Sequence, residues 1–191
     1  MPNATNAAEW DEEYRAGRWD FLHDVKESPR YGILAGWLAS TRTTRALLDI
    51  GCGEGLLWRH LAQSPARYVG VDLSPASFEK ASLDPATCRF VASDLHDFEP
   101  DDGERFSAIV FNEVLYFSQE PEAQLARYAA MLEEGGVIAI SMYAPKRPTS
   151  GAHKLIARVW EASDAWTVLD DLTLSSAAKG VTWKLRLVRP Q

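Results

Sequence analysis

The chain has 191 residues, a length that suits one domain able to bury well over half of its unfolded surface. Its 20 Lys and Arg against 27 Asp and Glu give a net charge of −7, which provides no attraction for DNA or RNA and argues against a nucleic-acid partner. Charged residues at 25% beside hydrophobic ones at 46% exclude a disordered, collagen-like or low-complexity chain.

The first 44 residues stand apart from the regular pattern that follows them. Trp10 and Tyr14 are four residues apart and share one face of a predicted short helix, and a turn at 17–20 carries Trp19. Ser28-Pro29 begins a second predicted helix, whose buried face is Ile33, Leu34, Trp37 and Leu38. We interpret 1–44 as a helical lid over a binding site, with simple packing on the outside of a sheet as the alternative.

From Arg45 onward, short apolar runs alternate with segments of helical period, which indicates a mostly parallel sheet with helices on both faces. The predicted strands are 46–50, 68–72, 89–92, 108–111 and 137–141. Predicted helices cover 56–62, a stretch opened by Ser74 and Pro75, 121–132 and 155–160, with 133–136 ending the third.

The end of the chain changes period. Apolar and polar residues alternate over 181–187, which predicts a half-buried strand after an earlier strand at 167–174. The connection at 175–180 suits an antiparallel hairpin, because a parallel crossover needs about a dozen residues or more. We therefore expect one α/β domain over 1–191, with a core at 45–191.

A glycine-rich loop, DIGCGEG at 49–55, follows the first predicted strand and opens the first helix, so we expect a ligand there. Asp72 ends the second strand about 20 residues later, where an acidic side chain meets ribose hydroxyls. Leu56 occupies the place of the third glycine of a dinucleotide fingerprint. A ligand with ribose but no pyrophosphate fits better, and Asp49 would repel phosphate but suit an ammonium group.

Four motifs resemble those of the class I S-adenosylmethionine-dependent methyltransferases, and the resemblance covers 47–188. They are LDIGCGEG at 48–55, VDLS at 71–74, ASDL at 92–95 and FNEVL at 111–115. The resemblance implies a Rossmann-like, doubly wound sheet of seven strands whose last strand is antiparallel, and S-adenosylmethionine as cofactor with S-adenosylhomocysteine as product. The resemblance also implies that residues before the first motif form a lid that covers the site.

The resemblance also implies a role for each motif residue. Asp72 holds the ribose, Leu73 packs on adenine, and Asn112 lies near the sulfonium. The methionine end lies against Asp49, Gly51, Gly53 and Gly55, and the adenine amino edge against Asp94 and Leu95. The lid residues expected at the cofactor are Tyr14, Trp19 and Arg30, with Arg30 meeting the cofactor carboxylate.

Acceptor contacts are expected in 112–118 and 143–153. Tyr116 and His153 are the candidate catalytic residues, although Tyr116 could be a core aromatic and His153 a surface histidine. Glu113 stays unassigned, and Asp94, His96 and Asp97 give no metal pattern. The expected reaction is methyl transfer to an oxygen or nitrogen of a small molecule. The alternatives are a catalytically silent methyltransferase-like subunit and a nucleotide-dependent oxidoreductase.

Location is suggested only by what the sequence lacks. Residues 1–9 have neither the basic nor the apolar region of a signal peptide, and no apolar run approaches the ~18 residues of a membrane span. Cys52 and Cys88 form no disulfide framework and no zinc spacing. We expect a cytoplasmic monomer or homodimer with no metal and no membrane partner.

Overall fold

The structure, a computed structural model, describes residues 6–81, 83–147 and 150–191. Residues 1–5 of the predicted lid and residues 148 and 149 of the predicted acceptor segment lie outside the described residues. Across the described ranges, no helix is long and apolar enough to cross a membrane.

Seven strands form one mixed sheet in the order β3-β2-β1-β4-β5-β7-β6. The strands are β1 Ala46–Ile50, β2 Arg67–Asp72, β3 Cys88–Ala92, β4 Phe106–Asn112, β5 Leu132–Ala144, β6 Thr167–Ser176 and β7 Val181–Arg189. The first five pair in parallel, and β7 lies antiparallel between β5 and β6. The predicted α/β fold with its antiparallel last strand and closing hairpin is confirmed.

Five α-helices surround this sheet in the described part of the chain. They are α1 Ala7–Arg15, α2 Ser28–Thr41, α3 Leu56–His60, α4 Pro121–Ala129 and α5 Gly151–Ser163. Three short 3-10 helices lie at Asp20–His23, Pro75–Lys80 and Leu115–Phe117.

Several predicted boundaries differ from the structure, and two of the differences have a clear structural cause. The helix predicted after Ser74 is the 3-10 helix Pro75–Lys80, and the Ser74 hydroxyl donates to Asp11 of α1 instead of capping it. Helix α4 ends at Ala129 and β5 already begins at Leu132, so 133–136 belongs to the strand. The register of β5 against β4 shifts there, because extra residues bulge out before regular pairing resumes at Val137.

The two faces of the sheet carry separate apolar cores. Leu34 and Leu38 of α2 and Leu57 of α3 pack on one face, with Leu47, Val110 and Leu185 of the strands. Leu125 and Tyr128 of α4 and Val159 of α5 cover the other face. Helix α2 is therefore part of the core, and only the segment before it, 6–27, is free to act as the lid predicted for 1–44.

Strand order positions the site. Strand β1 pairs with both β2 and β4. Strands β2 and β3 are therefore added on one side of β1, and β4 and β5 on the other, so that the strand order reverses between β1 and β4. In open α/β sheets, ligands bind at the carboxyl ends of strands beside such a reversal. The glycine loop, Asp72 and Asn112 follow or end β1, β2 and β4, and they therefore meet at one edge of the sheet.

Candidate active site

A cavity of about 480 Å³ opens at the carboxyl ends of β1, β2, β3 and β4. Its volume lies within the ~300–1,000 Å³ typical of small-molecule sites. Its floor comes from the strand ends and the glycine loop, and its roof from α1, α2 and the turn between them. The predicted residues on its wall are Tyr14, Trp19, Arg30, Asp49, Gly51, Gly53, Asp72, Leu73, Asp94, Leu95 and Asn112.

The glycine loop needs glycine at its first two glycine positions. Gly51 has φ +68°, and a Cβ there would lie 2.6 Å from a methyl carbon of Val114. Gly53 has φ +53°, and a Cβ there would lie 3.0 Å from the Tyr14 hydroxyl. Both conformations are unfavourable for other residues. The loop thus lets the lid and the segment after β4 approach its backbone closely.

Gly55 differs from the other two glycines. It does not line the cavity, and a Cβ there would lie 2.8 Å from Leu83. Its φ of +68° makes it the residue that turns the chain into α3. The position of Gly55 therefore supports a turn function, and not the cofactor contact that we expected.

Asp72 anchors the loop from the end of β2. One carboxylate oxygen accepts the Gly53 N–H at 2.9 Å and the other accepts the Ser74 N–H at 3.0 Å. Desolvation raises the pKa of Asp72 to about 6, against the lowering effect of these N–H groups. Since each carboxylate oxygen has a second lone pair, Asp72 can still accept two hydroxyl groups from a ligand.

Asp49 is buried at the end of β1, beneath the loop. The Tyr68 hydroxyl donates to one of its oxygens at 2.7 Å, and the other has no partner among the described residues. Burial raises the pKa of Asp49 to about 7. A buried unpaired oxygen is costly, so this carboxyl is well suited to a donor or a cation supplied by a ligand.

Arg30 of α2 is 2% exposed, and among the described residues it is the only Lys or Arg on the wall of the cavity. Its guanidinium donates to Asn112 and, at 2.9 Å, to Glu27, which also pairs with Lys179. Its Nε has no partner in the described ranges. Asn112 is thus held by Arg30, and one buried N–H remains for a ligand.

Glu113 follows Asn112 and lines the cavity with a strained backbone, at φ +63°. Its carboxylate accepts from the Ser141 hydroxyl at 2.7 Å and from the Tyr143 N–H at 2.9 Å. Burial raises the pKa of Glu113. These bonds tie the end of β4 to β5, which is the role that the structure gives to this residue.

The two predicted catalytic residues do not line the cavity. The Tyr116 hydroxyl donates to the Tyr143 carbonyl at 3.0 Å and to Glu113 at 3.3 Å, and burial strongly raises its pKa. His153 lies in α5, not in a loop, and its Nε2 is 2.7 Å from the Pro145 carbonyl. Neither position supports a contact with the acceptor.

At the adenine side expected from the motifs, Leu73 and Leu95 face the cavity beside Asp94. An Asp94 oxygen accepts the His96 N–H at 2.8 Å and lies 2.5 Å from its Nδ1. In the part of the chain that the structure describes, no group of three or more His, Cys, Asp or Glu is arranged to hold a metal ion.

Direct contacts hold the segment before α2 over the cavity. Asp11 of α1 accepts from the Ser74 hydroxyl and, at 3.0 Å, from the Ala76 N–H. His23 lies 2.7 Å from Glu54 of the glycine loop, and Arg15 bonds Glu79 at 3.0 Å. Residues 6–27 therefore cover the cavity in this structure, and side-chain contacts near both ends of this segment hold it against the floor.

Several wall residues were not predicted as site residues. They are Trp10, Leu22, Tyr31, Ile50, Cys52, Glu54, Leu56, Leu57, Val71, Ser93, Glu113, Val114, Phe117 and Gln119. Trp10 was in the predicted lid, on the same helix face as Tyr14, and that spacing was a usable signal. Glu113, Val114 and Phe117 lie in the segment 112–118, where acceptor contacts were expected, but no local pattern indicates which of its side chains face the cavity. Gln119 lies just after that segment.

The cofactor that the motifs imply fits the donors of this cavity. The methionine end of S-adenosylmethionine carries an ammonium and a carboxylate, which can satisfy the unpaired Asp49 oxygen and the unpaired Arg30 N–H. The ribose hydroxyls suit Asp72. This strand order, with a glycine loop after β1 and an acidic residue ending β2, defines a class I S-adenosylmethionine-dependent methyltransferase.

A family model described as a methyltransferase domain matches residues 12–176, and the chain belongs to this family. The chain is 33% identical over 115 residues to a trans-aconitate 2-methyltransferase of Enterobacter sp. (strain 638), covering 59% of this chain and 44% of that protein. It is 30% identical over 149 residues to a ubiquinone biosynthesis O-methyltransferase of Bartonella quintana (strain Toulouse), covering 76% and 55%. The chain thus spans about half the length of these curated relatives.

Solved structures share the fold at low sequence identity. The N-methyltransferase NodS of Bradyrhizobium japonicum WM9, in complex with S-adenosylhomocysteine, has a TM-score of 0.77 and 21% identity, covering 97% of this chain and 99% of that one. The 1,6-didemethyltoxoflavin-N1-methyltransferase of Burkholderia thailandensis has a TM-score of 0.75 and 20% identity, covering 100% and 92%. The match to a methyltransferase family does not support the oxidoreductase alternative.

Proposed function

We propose that the protein transfers the methyl group of S-adenosylmethionine to an oxygen or nitrogen of a small molecule. The observation that carries the proposal is the pairing of Asp72 with the glycine loop at the cavity floor. The carboxylate is oriented by two backbone N–H groups and keeps free lone pairs toward the cavity. Names of relatives support the substrate class, since they act on trans-aconitate and on ubiquinone precursors.

In this proposal each wall residue has one task. Asp72 accepts from the ribose hydroxyls, and Leu73 and Leu95 contact the adenine beside Asp94. Asp49 and Arg30 pair with the two charged groups of the methionine end, with Gly51 and Gly53 in backbone contact. Tyr14, Trp19 and residues 6–27 form the lid over the single domain.

When bound, S-adenosylmethionine supplies a methyl group on a cationic sulfur, which is transferred by in-line displacement without a covalent enzyme intermediate. The protein therefore has to hold the acceptor close to the methyl group and exclude water. Arg30 fixes Asn112 at the end of β4, and Glu113 fixes the segment that follows. A base is needed only for an acceptor that must lose a proton.

Calorimetric titration with S-adenosylhomocysteine tests the cofactor site. We expect Asp72→Ala to raise Kd at least about tenfold, because each charge-assisted hydrogen bond lost costs roughly 1.5–3 kcal/mol. Asp97→Ala, which changes an exposed carboxylate outside the cavity, is the matched control. Equal affinity of wild type and Asp72→Ala would contradict the assignment.

Activity is tested by a screen of small molecules with methyl-labelled cofactor, with label transfer read by mass. Transfer to any of them supports the proposal and dismisses a silent subunit. Binding of S-adenosylhomocysteine without transfer to any acceptor would favour the silent subunit. Comparison with NADH binding in the same titration separates the site from that of an oxidoreductase.

A further inference from the structure

A cluster of aromatic rings from the segment before α2 and from the segment after β4 lies on the wall of the cavity. Trp10 of α1 meets Phe117 edge to face, with 5.3 Å between ring centroids, and Trp19 at 5.6 Å. Trp19 also lies 6.2 Å from Tyr14. The motif residues account for the cofactor without Trp10 or Phe117. Phe117 lies five residues after Asn112, the last residue of β4. Because Phe117 is 41% exposed, its ring is available at the mouth of the cavity.

The charges of the wall are strongly one-sided. Five carboxyl side chains face the cavity, namely Asp49, Glu54, Asp72, Asp94 and Glu113. In the part of the chain that the structure describes, the only Lys or Arg on the wall is Arg30, which bonds Glu27 and Asn112. The remaining Arg30 N–H is assigned to the carboxylate of the cofactor, so a carboxylate on the acceptor would have no Lys or Arg left to pair with on the described wall. Glu54 is paired with His23 and lies 3.7 Å from Lys80, but the other carboxyl groups disfavour a further anion, which would also lose its hydration there.

Trp19 adds a polar feature to this ring cluster. Its indole Nε1 is buried and has no hydrogen-bond partner among residues 6–81, 83–147 and 150–191. An indole N–H only donates, so it needs an oxygen or nitrogen acceptor atom. The ring cluster of Trp10, Trp19 and Phe117 thus combines apolar ring faces with one donor.

We propose that the methyl acceptor is a planar aromatic molecule without an anionic group, held against the ring cluster with an oxygen or ring nitrogen toward Trp19. This inference rests on the proposed function and makes it more specific. Offset and edge-to-face contacts between rings favour a flat partner, and its entry displaces water from apolar surface. The inference separates this chain from its relative that acts on trans-aconitate, a tricarboxylate.

Binding to the protein saturated with S-adenosylhomocysteine tests the acceptor class. The probes are quinoline, its carboxylate quinaldate, and trans-aconitate, followed by calorimetry. We expect quinoline to bind at least about tenfold more tightly than quinaldate, and trans-aconitate not to bind. If trans-aconitate or quinaldate binds as tightly as quinoline, or quinoline does not bind, the inference is wrong. In each of these cases the cofactor titration still reports on the proposed function separately.

Two variants locate the subsite. Phe117→Ala should weaken quinoline binding about tenfold and leave S-adenosylhomocysteine affinity unchanged. Phe21→Ala is the matched control, because Phe21 is 44% exposed and its ring centroid lies 5.9 Å from that of Trp19, but it does not line the cavity. Equal losses in both variants, or a loss of cofactor affinity in Phe117→Ala, would assign the rings to packing or to the cofactor and overturn the proposal.

A gain of function tests the charge argument. Gln119 is an exposed residue on the cavity wall, so Gln119→Arg adds a free cation without removing a buried contact. We expect it to raise quinaldate affinity about tenfold while quinoline affinity stays within about twofold. Gln119→Met controls for the change in shape. Unchanged quinaldate affinity in Gln119→Arg would show that charge does not select the acceptor.

Discussion

Asp49 is buried, and one of its carboxyl oxygens has no hydrogen-bond partner among the described residues. Its pKa of about 7 lies above the ordinary value of 3.8 for an aspartate, so the folded state binds its proton more tightly than the unfolded chain does. The cost of ionising it is absent below pH 3.8, grows as pH rises, and is complete above about pH 7. A buried carboxyl of this kind lowers stability at neutral pH.

We therefore expect Asp49→Asn to stabilise the ligand-free protein at pH 8 by on the order of a few kcal/mol, and much less at pH 5. The Tyr68 hydroxyl can still donate to the amide oxygen of the variant. The same variant should bind S-adenosylhomocysteine at least about tenfold more weakly, because the ammonium partner is lost. Thermal unfolding at both pH values and calorimetry measure the two effects. A variant that is less stable than wild type at pH 8 would show that Asp49 is already compensated.

At the residue scale, motif position was more informative than residue chemistry. Asp49, Asp72 and Asn112 lie on the cavity wall because they end parallel strands, and strand ends can be read from apolar runs. Tyr116 and Phe117 are neighbours in the 3-10 helix Leu115–Phe117, where each residue turns by about a third of a circle. Which of the two rings faces the cavity depends on that turn, and the sequence does not show it.

At the element scale, the segment 6–27 contacts the floor mainly through polar side chains, while Tyr14 is buried and Leu22 packs against the core. Asp11 is its main anchor, with the Ser74 hydroxyl and the Ala76 N–H as donors, and the Ser74 bond lowers the pKa of Asp11. Helix α2 behaves differently, because Tyr31, Leu34 and Leu38 are buried in the sheet core. A segment held by a few polar contacts opens more readily than one held by packing.

We expect amides of residues 9–25 to exchange fast without ligand and to slow markedly with S-adenosylhomocysteine, while those of α2 stay slow in both states. Asp11→Ala should speed exchange of the segment and weaken S-adenosylhomocysteine about fivefold, as expected for roughly 1 kcal/mol of lost hydrogen bonding. Glu12→Ala, an exposed neighbour on α1, is the control. Hydrogen exchange with mass detection measures both. Slow exchange of 9–25 without ligand, unchanged on binding, would favour the packing alternative.

Most elements could be predicted from local patterns, and their ends could not. The strand predicted at 137–141 runs over Leu132–Ala144, because a bulge lets polar and glycine residues join the sheet before its apolar run. The helix predicted after Ser74 is only a 3-10 helix, because Ser74 bonds α1, far away in the sequence. Contacts between distant segments decided both cases.

At the scale of the whole molecule, the family resemblance predicted seven strands with an antiparallel last strand, and the order 3-2-1-4-5-7-6 is seen only in the structure. Local patterns indicated only parallel strands and a closing hairpin. The order matters because it sets the ends of β1, β2 and β4 side by side and thereby forms the cavity. The charge of the molecule, in contrast, follows directly from composition.

The last prediction concerns polynucleotides, which we expect the protein not to bind at about 0.15 M salt. Its net charge is −7, and ion pairs with carboxylates engage more than half of its Lys and Arg side chains. Few cations therefore remain to release counterions from a phosphate backbone. Fluorescence anisotropy with labelled tRNA and duplex DNA measures this, and a basic nucleic-acid-binding protein serves as the positive control. Micromolar binding that weakens steeply with salt would reveal a positively charged binding surface. That result would contradict the expectation of a small-molecule acceptor.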